Sequence, residues 1–350
     1  MGTTFNRFDF LRLVFASMVF VYHLVVLSAV APQTALEAQL GALAELSIQG
    51  FFVVSGALVY GSWERSRGVL VYAEKRARRL LPAYVVIILI PAFISLLLTL
   101  GMPHAGQDIL AYVGANLLFF NFLNPTLPGL FENQRMSEVN GALWTLKIEV
   151  MFYIVLPALA WMLAVLRRYW WIGIALFILA AFAWRDATLA MDHPNSAQLA
   201  RQLPGQMMYF AAGMTLWRLW DLARVKAGLL AVIGAGVLTL ALAIPALDAL
   251  RVLGLSALIA GVAFGPGPAL NAARWGDVSY GVYIVHFPVV QAMVMLGAFS
   301  ALGYVAGFTL AAVLVFGLSF ALWRWVEKPA LRRDSHYRQA SEEVSAHERV

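Results

Sequence analysis

Ten stretches of this sequence are apolar over lengths close to the 17 to 25 residues that a helix needs to cross a bilayer, and that repetition restricts the fold more than any other feature. They fall near 10–30, 44–61, 80–100, 143–166, 169–185, 204–220, 227–245, 250–266, 278–297 and 301–323. The expected fold is therefore all-α and polytopic, with about ten transmembrane helices. Composition agrees, since 61% hydrophobic and 13% charged residues over 350 positions is a balance that a soluble fold does not tolerate. A further apolar piece at 111–122 is short, carries two Asn and is followed by Pro125 and Pro128, so it is expected to be re-entrant or interfacial.

Charge supplies an orientation. With ten crossings and both termini cytoplasmic, only Arg135, Lys147, Arg185, Arg201 and Arg251 face outward, and the other 20 of the 25 Lys and Arg face inward. Making 111–122 a crossing would move Arg167 and Arg168 outside, which favours ten. The net charge of +6 lies in short clusters between apolar spans, so it orients a membrane protein and does not point to nucleic acid. There is no cysteine, which removes disulfides, thiolate metal sites and a cysteine nucleophile. The first apolar run lacks the form of a cleaved signal peptide and is expected to remain as the first helix. One transmembrane domain over 1–331 and a polar cytoplasmic tail over 332–350 complete the expected organisation.

Six polar features interrupt these spans. In RFDFLRLVFASMVFVYH, residues 7–23, Asp9 and Arg12 stand at one end, and His23 lies eleven residues beyond Arg12, or roughly 16 Å along a helix. An ionisable group near mid-membrane reads as functional, the alternative being a histidine that packs against a neighbouring helix. In EKRARRLLP, 74–82, Arg76 and Arg79 are one turn apart; they either anchor the inner interface or present a guanidinium fork to phosphates. In FFVVSGAL, 51–58, Ser55 and Gly56 either permit close helix approach or clear space for a ligand.

WTLKIEVMFYIVLP, 144–157, sets Glu149 about 9 Å into a crossing, with Trp144 at the interface. Glu149 either lines a site or pairs with Lys147 or outer water. SYGVYIVHFP, 279–288, carries Tyr283 and brings His286 to a depth similar to that of His23. No metal-ligand spacing accompanies the two histidines, so proton transfer suits them better than zinc. WVEKP, 325–329, closes the last helix, where Glu327 either pairs locally or helps to hold the Arg76–Arg79 fork.

In this order the six features resemble the membrane-bound acyltransferase-3 family over residues 5 to 329. The resemblance rests on Arg12 followed by His23, with Asp9 before them; on Phe51, Phe52, Ser55, Gly56 and Leu58; and on Arg76, Arg79 and Pro82. It continues through Trp144, Thr145, Leu146, Glu149, Phe152 and Tyr153, through Ser279, Tyr280, Tyr283, His286 and Pro288, and ends on Glu327 and Pro329. Thr145 replaces a common Ser, and Phe10 stands where Gly is frequent. Many members carry a fused extracytoplasmic domain; this chain is expected to be a stand-alone transmembrane form.

The resemblance implies an O-acyltransferase of the bacterial inner membrane that moves an acyl group, acetyl by first expectation, from acyl-CoA to a sugar hydroxyl in a polysaccharide, glycolipid or related acceptor. His23 is the expected base, with His286 as second candidate and Asp9, Arg12 and Glu149 beside them in the catalytic set. Arg76 and Arg79 would hold the phosphates of acyl-CoA, and Trp144, Ser55 and Tyr283 the acceptor, with no metal. A proton-coupled transporter or flippase of a polar envelope precursor uses the same vocabulary of intramembrane His, Arg and Glu, and stays open on the residues alone.

Overall fold

The computed structural model describes residues 7–268, 270, 272 and 276–332. Their α-helices are α1 (Phe8–Ser28), α2 (Ala35–Glu64), α3 (Val69–Leu98), α4 (Ala105–Leu117), α5 (Trp144–Leu166), α6 (Trp170–Leu189), α7 (Ser196–Ala200), α8 (Leu203–Arg218), α9 (Trp220–Val225), α10 (Ala227–Ala243), α11 (Arg251–Phe264), α12 (Val278–Met295), α13 (Ala298–Leu322) and α14 (Lys328–Ala330). Extended pairing among the described residues is limited to the isolated bridge between Leu127 and Leu130. All ten apolar stretches are helical, the last broken near its start by a kink at Gly303, whose φ is 75°. Of the expected tail, everything beyond Arg332 lies outside the described residues.

Seven helical runs are long and apolar enough to cross a membrane, which makes this a multi-pass membrane protein. They cover eight of the ten expected helices, because α5 and α6 form one apolar run of 49 residues. That run is not straight. Arg167 takes a φ of 51° between the two helices, and a Cβ on Gly173 would lie 2.7 Å from Leu163, whereas ten residues of straight helix span about 15 Å. The other two, α8 with 16 residues and α10 with 17, are shorter than the usual crossing.

Two helices start well before their apolar windows. For α2 the reason is a cap: the Glu37 N–H donates to Thr34 Oγ1 at 3.4 Å, and Glu37 in return accepts from the Gln33 N–H at 2.9 Å. For α3 the charged EKRARR segment is itself helical, with Glu74 and Arg78 paired one turn apart at 2.8 Å. The segment 111–122 holds the end of α4 and the turn after it. Helix α4 ends at Leu117; its 13 residues span roughly 20 Å, too short to cross, and a turn with Phe119 at a φ of 62° follows.

Contacts divide the chain into two compact units, one from Met1–Arg12, Ile48–Ala73 and Ile148–Asn271, the other from Leu13–Ser47, Glu74–Lys147 and Ala272–Val350. In the first, α2 and α8 cross backbone to backbone at two glycines. A Cβ on Gly56 would strike the Phe210 carbonyl, and one on Gly213 the Val53 carbonyl. Phe210 then stacks on Phe152 with ring centroids 3.9 Å apart, and meets Phe52 at a tilt at 4.8 Å. Arg7 closes the C-terminal end of α11, donating to the carbonyls of Val262, Gly265 and Pro268, each at 2.8 Å. Those carbonyls lack helical donors, and a cation there also complements the helix dipole.

In the second unit, the two Asn of 111–122 are buried in a polar knot. Asn116 donates to the carbonyls of Tyr112 and Asn124, while Asn121 donates to Asn116 Oδ1 and Tyr84. This pins the long connection between α4 and α5 to α3, and a hydrogen bond of 2.6 Å from Ser95 to the Pro128 carbonyl adds to it.

The glycine crossing yields a first prediction: Gly213→Val lowers the unfolding temperature in detergent, at a cost of about 1 to 3 kcal/mol for the forced separation. Gly228→Ala, whose Cβ meets nothing within 4 Å, serves as the matched control and leaves it unchanged. Equal behaviour of the two proteins would refute the close approach.

Candidate active site

The sharpest local chemistry lies between α1 and α12, in the second unit. His286 has no exposed surface, and His23 is half-buried. Nε2 of His286 stands 3.0 Å from Nδ1 of His23, and the rings are 5.0 Å apart. Each Nδ1 also lies 3.0 Å from a carbonyl of its own helix, Val19 for His23 and Val282 for His286. Phe287 sits edge-on to His23 at 5.1 Å and Tyr22 lies 4.9 Å from it, while Phe20 and Tyr283 stand 6.2 and 6.0 Å from His286, so the walls around the pair are largely aromatic. The two histidines expected at similar depth are thus in direct contact.

The reason α12 holds this position is Pro288. Proline has no N–H, so the carbonyl of Ile284 loses its helical donor. Asn140 supplies a replacement, its Nδ2 donating to Ile284 O at 2.8 Å while its Oδ1 accepts from the Ala142 N–H. The turn at Gly141–Leu143 is thereby docked on α12, and at Gly141 a Cβ would come within 2.9 Å of the Phe287 ring. One step further along, Thr145 and Tyr283 share a hydrogen bond of 2.7 Å. The hydroxyl at position 145 is therefore used, and Trp144 beside it is half-buried at the start of α5.

Ser55 and Glu149 meet within the first unit. Ser55 Oγ donates to Glu149 Oε1 at 3.2 Å, and Tyr153 donates to the same oxygen. Glu149 accordingly takes hydroxyl partners, and pairing with Lys147, one of the alternatives open from the sequence, is not what holds it. Gly56, next to Ser55, is occupied in helix packing and clears no room for a ligand. Arg12 stands 3.9 Å from Asp9 on α1.

Arg79 has partners other than a phosphate. Its guanidinium bridges two buried carboxylates, Asp277 before α12 and Glu327 after α13, and lies over the Tyr280 ring at 5.4 Å. A π-helical turn over Trp323–Glu327 buries both end residues, and Gly276, at a φ of 98°, admits the Trp323 indole where any Cβ would collide. Asp277 was not among the residues singled out from sequence. Its signal was slight, an acid directly before the helix that carries Ser279 and Tyr280, and Ser279 Oγ does donate to it. Among the described residues no three His, Asp or Glu gather as a metal set. Because a buried charge left without its partner is costly, Arg79→Gln is expected to destabilise the protein by about 3 to 5 kcal/mol, and Arg79→Lys by less. Thermal unfolding in detergent checks the order, and a stable Arg79→Gln protein would contradict the clamp.

Comparison with known proteins agrees with this arrangement of motifs. The acyltransferase domain family matches residues 5–324. Nodulation protein 10 of Rhizobium leguminosarum bv. viciae is 28% identical over 322 residues, covering 81% of each chain. The O-acetyl transferase of Shigella phage Sf6 is 28% identical over 349 residues, covering 94% of this chain and 97% of its own. No solved structure matches. With the family match spanning nearly all of the described helices, the chain belongs to the membrane-bound acyltransferase-3 family and is an acyltransferase.

Proposed function

We propose that the protein transfers an acyl group, acetyl in the simplest case, from acyl-CoA to a hydroxyl of a sugar in an envelope polysaccharide, glycolipid or related acceptor, with His23 as base. One observation carries this reading: two imidazoles in contact at 3.0 Å between apolar helices of an acyltransferase. The name of the phage relative, an O-acetyl transferase covering nearly the same length, supports the choice of a hydroxyl acceptor and an acetyl group.

In the reaction, His23 removes the hydroxyl proton as the oxygen attacks the thioester carbonyl carbon. The C–S bond breaks, the thiolate takes the proton back from His23, and the products are an ester and the free thiol of CoA. Arg76 and Arg12 supply cations for the CoA phosphates, while Arg79 acts by holding α3 to the ends of α12 and α13. Trp144 offers a stacking face to the sugar, and Ser55, Glu149 and Tyr283 offer it polar contacts.

The membrane arrangement that suits this chemistry has ten crossings within one domain over 1–331, both termini in the cytoplasm, and 111–122 at the interface or re-entrant. It places the enzyme in the bacterial inner membrane with its donor site on the cytosolic side, and the strong inward bias of Lys and Arg supports it.

His23→Ala is expected to abolish release of CoA thiol from acetyl-CoA by the purified protein, while membrane insertion and yield stay unchanged. Retained turnover would remove His23 as base. Uptake of an envelope precursor without any acyl turnover by the unaltered protein would make it a transporter or flippase instead. Mass spectrometry of envelope glycans from cells with and without the protein identifies the acceptor.

A further inference from the structure

Which nitrogen of His23 does the work follows from the three contacts at the histidine pair, and this inference rests on the reading of His23 as base. A carbonyl oxygen only accepts hydrogen bonds, so the 3.0 Å contact to Val282 O requires the proton of His286 on Nδ1. In the neutral ring Nε2 of His286 is then a bare acceptor, and it points at Nδ1 of His23. That nitrogen also lies 3.0 Å from the Val19 carbonyl. Two acceptors converge on it, and it must carry the proton.

The other assignments fail on the same contacts. With its proton on Nε2, His23 would direct a lone pair at Val19 O and at His286 Nε2 together. Moving the proton of His286 to Nε2 would repair the contact between the rings and set lone pairs against both carbonyls. His286 is fully buried among apolar side chains, where a mismatched polar contact is costly.

We propose that His286 is a positioning residue and not a second base: it accepts the Nδ1–H of His23, keeps the ring in that tautomer, and leaves Nε2 of His23 as the atom that takes the acceptor's proton. When Nε2 is protonated, the bond from Nδ1–H to His286 becomes charge-assisted and strengthens as the reaction proceeds. The role is one that a carboxylate often fills behind a catalytic histidine. Among the described residues neither ring has a carboxylate partner, and a neutral acceptor does the same orienting without bringing a buried negative charge.

The test has two arms. In the full-length protein in nanodiscs, with histidine labelled by 15N in the ring, the six histidines are few enough to resolve, and the signals lost in H23Q and H286Q identify the pair. Without substrate at neutral pH, both His23 and His286 are expected to show a protonated Nδ1 and a bare Nε2. A His23 ring protonated on Nε2 would overturn the proposal.

The second arm follows CoA thiol release from acetyl-CoA. H286L is expected to lower kcat roughly 10- to 100-fold with little change in the KM for acetyl-CoA, and H286Q, whose amide oxygen can accept the same Nδ1–H, to recover part of the loss. Full activity in H286L, or equal loss in H286L and H286Q, would overturn the proposal. Should H286L not fold, the labelled wild-type protein still decides through the first arm. The labelling arm involves no turnover, so an inactive assay, or activity retained by His23→Ala, would count against the proposed function and leave the assignment of the proton standing.

Discussion

A polar group inside the apolar interior of this protein has to find its partner in the protein itself, and that requirement explains most of the contacts that define the structure. Pro288 frees a carbonyl in α12, and Asn140 meets it from the turn before α5. Asn116 and Asn121 satisfy each other, Tyr84 and nearby carbonyls, and by doing so fix a long irregular connection. Arg7 meets the open carbonyls at the end of α11. Asn140 and Arg7 join segments far apart in sequence, and the asparagine knot ties a local connection to α3.

The same requirement separates the charged groups from the chemical ones. Arg79, Asp277 and Glu327 are ionic and bridge helix ends. The imidazoles of His23 and His286 have no ionic partner among the described residues and satisfy each other and their own backbone carbonyls. A neutral base suits such a place, since it becomes charged only while a proton is in transit. Glu149 is held by two hydroxyls, from Ser55 and Tyr153, which position a carboxylate without neutralising it.

Much of this was legible in the chain. The length of the apolar runs located ten of the helical stretches, since burial in lipid demands long runs whatever they pack against. The features around His23, Arg79, Ser55, Glu149 and His286 stood out because ionisable and small residues are rare inside such runs. Where expectation and structure differ, the cause is local. Helix α2 begins nine residues before its apolar window, at a cap formed by Thr34 and Glu37, and α4 begins at Ala105 because polar turns propagate a helix as well as apolar ones do.

Partner choice was legible only in part. Spacing put Arg76 and Arg79 one turn apart, with Glu327 as one candidate to hold them, and Arg79 does meet Glu327; its second partner, Asp277, lies about 200 residues away along the chain and had no such signal. The depth of the two histidines followed from helix rise, while their contact depends on how α1 and α12 lie against each other. By itself, the sequence determined that the chain is a helical membrane protein with ionisable residues set inside its apolar runs, because hydropathy and rise per residue are properties of single segments. Only the tertiary structure decided which groups meet. That depends on distances between helices, and a linear pattern carries no such distance.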